Sequence, residues 1–199
     1  MTPALTALWS IQQQRAPDLA AQSSRVAWLS GRIADLAGLD PTTVAQVQLA
    51  GQFYAVGRLA LPVALRRSTG PHTAAEWARL QRVPVLSAQA VQERGAAGAA
   101  LIIAQQAEHW DGTGGPCGLR GAAILPAARV LAVAVAVVTA CSDPPYRVRS
   151  AYATALDLLA GGAGRQFDPA LVRLVTTLWP ATRPPAPLLF APAWGQGAA

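Results

Sequence analysis

The chain has 199 residues, of which 52% are hydrophobic and 13% charged, and its formal net charge is +6. A chain of this length and apolar content can bury one sizeable core, so we expect one domain with at most a small extension. All sixteen basic residues are arginines scattered along the chain, a pattern that does not favour nucleic acid as a partner. Cys117 and Cys141 form neither a metal-ligand spacing nor a disulfide framework, which is typical of a reducing cytosol.

No segment of the sequence is typical of a membrane protein. The most apolar run, from Leu131 to Cys141, has 11 residues, whereas a helix that crosses a bilayer needs about 20. The N-terminus lacks the basic residues and apolar stretch of a secretory signal. We therefore expect a cytoplasmic protein with no membrane contact.

Helix signals follow one another along the chain. Asp40-Pro41 and Asp168-Pro169 each place a capping carboxylate before a proline, which favours a helix start. Thr73 and Glu76 form a capping box. Valine and alanine alternate within 125–141, which also suits a buried strand, although the length without a turn favours a helix. The predicted helices span 4–14, 17–37 (ended by Gly38), 40–54, a short turn after Pro62, 73–81, a segment from Pro84 to 93, 96–108, 125–141, 150–162 (capped by Ser150) and 168–179.

These elements predict an all-α protein in three parts. They are an N-terminal helix within 1–16, a main helical domain over 17–179 and a proline-rich tail over 180–199, which we expect to be extended. Of the six tryptophans, those at 28, 77 and 110 are expected to pack in or near the core.

A glycine-rich loop lies between two apolar segments of the main domain. Residues 108–121 read EHWDGTGGPCGLRG and contain five glycines. Glycine permits backbone angles that other residues resist, so this run predicts a shaped loop rather than a helix or strand. It lacks the Lys-Ser/Thr ending of a P-loop.

The loop and its neighbouring segments resemble the HD-GYP domain, a subgroup of the HD phosphohydrolase superfamily. Residues 110–121 (WDGTGGPCGLRG) are similar to the family's W-D-G-x-G-Y-P-x-G-L-x-G motif, with Gly115 at the position of the tyrosine. Further segments match in order between residues 17 and 178, namely 23–26 (SSRV), 56–62 (VGRLALP), 129–134 (RVLAVA), 142–147 (SDPPYR) and 166–169 (QFDP). The resemblance implies an HD-domain-like helical bundle.

Active members of this family hydrolyse cyclic di-GMP at a site of two or three metal ions, which needs several imidazoles and carboxylates. The resemblance places the family's ligand positions on apolar or amide residues here: Gln22, Tyr54, Ala55, Val83, Gln106, Ala107 and Val135. Asp18 alone stands where some members have an acidic ligand. The chain has only two histidines, His72 and His109, and we expect both to be surface or packing residues. We therefore expect no metal, no cofactor and no catalytic residue.

The replaced positions predict a pseudoenzyme, meaning a catalytically inactive domain that is not an enzyme. Because unpaired acids and imidazoles in an empty metal site would be destabilising, we expect Ala55, Val83, Ala107 and Val135 to have turned the site into core. The remaining role would be a regulatory or protein-interaction module of cyclic di-GMP signalling, with a signalling protein or a second copy of the chain as partner.

Two further functional surfaces stay open at this point. Arg58 and Arg147 stand where the resemblance implies phosphate-contacting basic residues, so the alternative function is a receptor that binds cyclic di-GMP or a related nucleotide without cleaving it. Both arginines could instead cap helix ends or pair with acids such as Asp143. In active relatives the glycine loop is implicated in contacts with diguanylate cyclase domains. That makes partner-binding candidates of Trp110, Gly114, Gly115, Pro116 and Arg120, unless the loop serves only as a turn.

Overall fold

The computed structural model describes residues 1–68, 70–141 and 148–179. Within these ranges the chain forms ten α-helices, two short 3₁₀ helices and no β-strand, which confirms the all-α prediction. The α-helices are α1 (Pro3–Arg15), α2 (Pro17–Leu36), α3 (Pro41–Phe53), α4 (Val63–Arg67), α5 (Ala74–Gln81), α6 (Val83–Gln92), α7 (Ala97–Ala104), α8 (Pro126–Ala140), α9 (Val148–Gly162) and α10 (Pro169–Leu178); the 3₁₀ helices are Val56–Ala60 and Gly121–Ala123. No helix among the described residues is long and apolar enough to cross a bilayer.

Helices α2 and α8 form the centre of the bundle. Helix α2 packs against α1, α3 and α8, while α8 also contacts α3, α7, α9 and α10. Valine, alanine and leucine side chains on several sides of α8 are buried, as expected for a helix with neighbours all round. The segment 125–141 is therefore a helix, and the strand alternative is wrong.

Helix α1 contributes to the same core. Its Leu5 and Leu8 side chains are buried with those of α2 and α3. The Gln12 Nε2 atom donates a hydrogen bond of 3.0 Å to Ser23 Oγ, and both side chains are fully buried. This bond joins α1 to α2 inside the bundle. The division of the chain at residue 16 stays a prediction.

Local capping patterns give most helix boundaries correctly. The Asp40 and Asp168 side chains accept hydrogen bonds from backbone N–H groups in the first turns of α3 and α10, and the Thr73–Glu76 capping box is formed. Gly38 follows the end of α2 with a φ of 75°. These four predictions are confirmed.

Three predictions are wrong and one lies outside the described residues. Helix α7 ends at Ala104 rather than at 108, since the next backbone N–H groups bond to carbonyl oxygens three residues earlier rather than four (Gln106 to Ile103 and Glu108 to Gln105). Ser150 lies inside α9, which includes Val148, so it is not the N-cap. Trp77 is 54% exposed on the short helix α5. The tail over 180–199 belongs to the residues outside the description.

The 3₁₀ helix Val56–Ala60 is fixed tightly against α6. The Gly57 N–H donates a 2.9 Å hydrogen bond to the buried Ser87 Oγ. A Cβ atom at Gly57 would lie 2.7 Å from the Val83 carbonyl oxygen, so only glycine permits this approach. The contact fixes the backbone at Gly57, immediately before Arg58.

Arg129 links three segments at the other side of the bundle. Its Nη1 atom lies 2.7 Å from Asp168 Oδ2, and its Nε atom donates to the Ile124 carbonyl oxygen at 3.0 Å. Its guanidinium carbon lies 5.5 Å from the centre of the Trp110 ring, a cation–π contact with the glycine loop. Arg129 and Asp168 are 17% and 8% exposed at their side chains, so the pair is largely removed from water.

We expect Asp168→Ala to lower the free energy of unfolding by about 3 kcal/mol, because it removes the α10 cap and leaves a partly buried guanidinium unpaired. Denaturant unfolding followed by circular dichroism measures this loss. Asp35→Ala is the matched control, since it breaks the exposed Arg32–Asp35 pair; we expect a loss below about 1 kcal/mol there. Equal losses in both variants would contradict the assignment.

Candidate functional site

Seven positions that the sequence singles out surround one cavity. This ligand cavity has a volume of about 330 Å³ and is also lined by Arg58, Leu80, Pro84 and Thr139. The seven residues come from α2, the end of α3, the start of α6, the turn after α7 and the middle of α8: Gln22, Tyr54, Ala55, Val83, Gln106, Ala107 and Val135. Residues more than 100 positions apart are thus brought together by the packing of α2 on α8.

The ligand cavity remains open, which corrects the prediction that the four apolar replacements convert it into core. Ala55 and Val83 are buried, but Val135 is only partly buried and Ala107 is exposed. An alanine is too short to fill the volume of a histidine at the cavity mouth. Small apolar side chains therefore leave space for a ligand rather than close it.

Tyr54 gives the cavity a buried neutral phenol. Burial raises the pKa of Tyr54 to about 12, and the nearby positive charges of Arg58 and Arg25 and a hydrogen bond with the Thr139 side chain oppose this rise. The backbone is held too, because the Gln106 Nε2 atom donates to the Tyr54 carbonyl oxygen at 2.8 Å. Tyr54 is consequently a fixed hydrogen-bonding group near neutral pH.

The side chains of the ligand cavity do not fit a divalent metal pair. Its polar groups are two carboxamides, one phenol, one hydroxyl and the Arg58 guanidinium, whereas hydrolytic metal ions take imidazole and carboxylate ligands. The described residues contain no group of three or more His, Cys, Asp or Glu placed to hold a metal ion. No hydrolytic step through a metal therefore follows from this cavity.

An acid and an imidazole group line an adjoining cavity, where both make hydrogen bonds to the glycine loop. An adjoining cavity of about 430 Å³ shares Gln106 and Val135 and includes Glu108 and His109. The buried Glu108 carboxylate accepts the backbone N–H groups of Cys117 and Leu119, at 2.6 and 2.9 Å. The His109 Nδ1 atom lies 3.1 Å from Thr113 Oγ1. Both side chains thus hold the loop in shape.

A second neighbouring cavity is strongly basic. This arginine cavity has a volume of about 440 Å³ and is lined by Arg15, Arg25, Arg58 and Arg66, with Asp18 as its one carboxylate. It shares Gln22 and Arg58 with the ligand cavity, so the two cavities adjoin. Arg58 therefore lies at their junction. Arg147, the other predicted phosphate contact, lies outside the described residues.

The sequence did not identify Arg15, Arg25 and Arg66 as residues of a candidate site. They lie at the end of α1, within α2 and in α4, and no motif spacing connects them. The available signal was the predicted start of α2 at Pro17, since a helix N-terminus with arginines nearby favours an anion. Which arginines come near it depends on how α1 and α4 pack.

The glycine loop is confirmed as a shaped loop, and the structure divides its predicted partner-binding residues into two groups. Trp110 is half-buried against Arg129, and its backbone N–H donates to the Gln166 carbonyl oxygen at 3.2 Å. A Cβ at Gly114 would clash with the backbone of the preceding turn. Pro116 and Arg120 are exposed, and Gly115 is partly exposed. The exposed members of the predicted set are therefore Pro116 and Arg120.

Comparison with known proteins places the chain in a family. The model of the family described as "HD domain" matches residues 7–171. The chain belongs to the HD domain family. The fold is similar to that of Bd1817, an HDG"Y"P protein from Bdellovibrio bacteriovorus, with a TM-score of 0.62 and 22% identity over 79% of this chain and 51% of that chain.

Two relatives of this HD domain carry named activities. The cyclic di-GMP phosphodiesterase response regulator RpfG of Xanthomonas campestris pv. campestris is 31% identical over 74% of this chain and 40% of its own length. The 3'3'-cGAMP-specific phosphodiesterase 2 of Vibrio cholerae is 28% identical over 84% of this chain and 33% of its own length. The HD domain thus spans less than half of either relative.

These names contradict the prediction that the chain is not an enzyme. Both relatives are named as phosphodiesterases, which points to an enzyme, and nothing observed demonstrates inactivation. The prediction inferred loss of activity from replaced side chains at seven positions. Such replacements remove one set of metal ligands, but they do not establish that the whole domain lacks catalytic activity. The description of the chain as a pseudoenzyme rests on the same inference and is not supported either.

The raised pKa of Tyr54 predicts a stability loss in alkali. The phenol ionises near pH 10 in the unfolded chain but at about 12 in the folded one, so its contribution is fully present below pH 10 and is lost as the pH rises towards 12. We expect unfolding experiments at pH 7 and 11.5 to show a drop that is roughly 1–2 kcal/mol smaller in Tyr54→Phe than in the unaltered chain. Identical drops would contradict the burial of this phenol.

Proposed function

We propose that this HD domain is a signalling domain that binds a cyclic dinucleotide in the ligand cavity, with a phosphate of the ligand beside Arg58. The observation that carries the proposal is the position of Arg58. It lies where seven family ligand positions meet a cavity with three further arginines. The ligand class comes from the relatives, whose names specify cyclic di-GMP and 3'3'-cGAMP.

The chemistry of the cavity suits such a ligand. A guanidinium donates two parallel hydrogen bonds to phosphate oxygens and keeps its charge at every physiological pH. Tyr54, Gln22 and Gln106 offer neutral donors and acceptors of the kind that read the edges of a nucleobase. The apolar surface of Ala55, Val83 and Val135 supports a ring face.

We expect Arg58→Gln to weaken cyclic di-GMP binding about tenfold or more, because a charge-assisted hydrogen bond to phosphate is lost. Isothermal titration measures the affinity, and chromatography of the recovered ligand separates the heat of binding from that of turnover. Arg79→Gln on α5 is the matched control, because Arg79 is exposed and lines neither cavity. Unchanged affinity in Arg58→Gln, or no binding by the unaltered chain, would overturn the proposal.

A second candidate function is the binding of a partner protein through the exposed side of the glycine loop. The Glu108 carboxylate fixes the loop from inside through the N–H groups of Cys117 and Leu119. Pro116 and Arg120 are thereby presented on a turn that is already ordered, which reduces the entropy lost on association.

For this second function we expect Arg120→Glu to reduce binding to a purified diguanylate cyclase domain about tenfold, since it reverses a charge at the contact. Biolayer interferometry measures the affinity. Arg173→Glu makes the same charge change on the exposed side of α10 and should leave binding intact. Equal reductions in both variants would show a general charge effect and count against the loop.

A further inference from the structure

A groove lined by two tryptophans lies between α1, α2 and α3. It has a volume of about 520 Å³, and none of its lining residues lines the ligand cavity or the arginine cavity. Trp9 of α1 and Trp28 of α2 pack against the hydrophobic core, but both are only half-buried. Part of each indole therefore remains exposed at this surface, which we call the tryptophan groove.

The walls of the tryptophan groove are held in place by close packing. The Trp9 ring meets the buried Phe53 ring edge to face, with the centroids 6.1 Å apart and an interplanar angle of 88°. Helices α2 and α3 approach closely below the groove, because a Cβ atom at Gly51 would lie 2.7 Å from the Cα atom of Ala27. A ligand that binds here therefore loses little free energy to reorganisation of the protein.

The polar lining of the groove is neutral. Gln48 and Gln52 lie one turn apart on α3 and line the groove together with Ser24 of α2, whereas no acidic or basic side chain lines it. Carboxamide groups donate hydrogen bonds to carbonyl oxygens. A polyproline II segment makes no internal hydrogen bonds, so all its carbonyl oxygens are available. Aromatic faces beside neutral donors thus suit an uncharged, extended peptide.

The sequence of this chain contains such a peptide. Residues 184–187 read PPAP, a P-x-x-P pattern, and they belong to the proline-rich segment 180–199 outside the described residues. Each proline ring restricts φ to about −65°, which favours the polyproline II conformation. Segments with this pattern bind to grooves lined by aromatic side chains. The chain therefore supplies both a groove and a sequence that fits it.

The described chain ends near the same helix that carries Trp28. The carbonyl oxygen of Trp179 accepts a 2.7 Å hydrogen bond from the Tyr152 hydroxyl. Burial and the neighbouring Cys141 both raise the pKa of Tyr152. Burial also raises the pKa of Cys141 to about 11, and the nearby Arg25 opposes this rise. Since Arg25 lies one helical turn before Trp28, residues 180–187, which can extend over about 25 Å, start close to the groove.

We propose that the segment 184–187 of the same chain binds in the tryptophan groove, with its proline rings against the exposed faces of Trp9 and Trp28. The covalent connection gives the segment an effective concentration in the millimolar range, so contacts that are weak between separate molecules suffice to keep it bound. This inference does not depend on the proposed function, because it uses neither the ligand cavity nor the glycine loop.

The first test uses the full chain and follows the indole N–H signals by nuclear magnetic resonance. We expect Pro184→Ala/Pro187→Ala to shift the signals of Trp9 and Trp28, because it removes the rings that cover them, and to leave the signal of the exposed Trp77 in place. Pro192→Ala changes a proline of the same segment outside the P-x-x-P pattern and serves as the control. It should shift neither Trp9 nor Trp28.

The second test adds a synthetic peptide of residues 180–190 to the same proteins. We expect it to bind the double proline variant about tenfold or more tightly than the unaltered chain, whose own segment competes for the groove. A further Trp28→Phe substitution should weaken this binding, whereas Trp77→Phe should not. Equal peptide affinity for the double variant and the unaltered chain, or no binding to either, would overturn the proposal. Indole shifts that grow with protein concentration would place the segment on a second copy of the chain and also overturn it.

Discussion

One whole side of the bundle depends on the contacts that the partly buried guanidinium of Arg129 makes. It joins the N-cap of α10 through Asp168, the segment before α8 through the Ile124 carbonyl oxygen, and the glycine loop through Trp110. A charge so far removed from water is tolerated only when its donors are satisfied. The loop, the start of α8 and the start of α10 are therefore held in one arrangement.

Features set by neighbouring residues could be predicted from the sequence. A capping carboxylate acts within three residues of the helix start, which is why Asp40, Thr73 and Asp168 located their helices. The convergence of seven distant positions on one cavity could also be anticipated, but only through the resemblance to a known family. No periodicity in this chain indicates that Gln22 and Val135 meet.

Features set by packing could not be predicted. The Gln105 side chain just after α7 accepts a hydrogen bond from the N–H of Leu125, 20 positions later. The ligand cavity stays open because Ala107 is exposed and Val135 only partly buried, and the sequence does not indicate how far each side chain is buried. The arginine cavity needs Arg66 beside the Arg15 carbonyl oxygen, a contact across 51 positions. A scattered set of arginines looks the same in the sequence whether the side chains converge or diverge.

Phosphate recognition and phosphodiester hydrolysis make different demands on these cavities. Recognition needs fixed donors and positive charge, which Arg58, Arg25 and the first turn of α2 supply. Hydrolysis needs in addition a group that activates water and one that stabilises the leaving oxygen. The phenol of Tyr54 is poorly suited to activating water, since burial keeps it protonated far above neutral pH. The residues that line the ligand cavity thus include donors and a positive charge for recognition, but no general base for the activation of water.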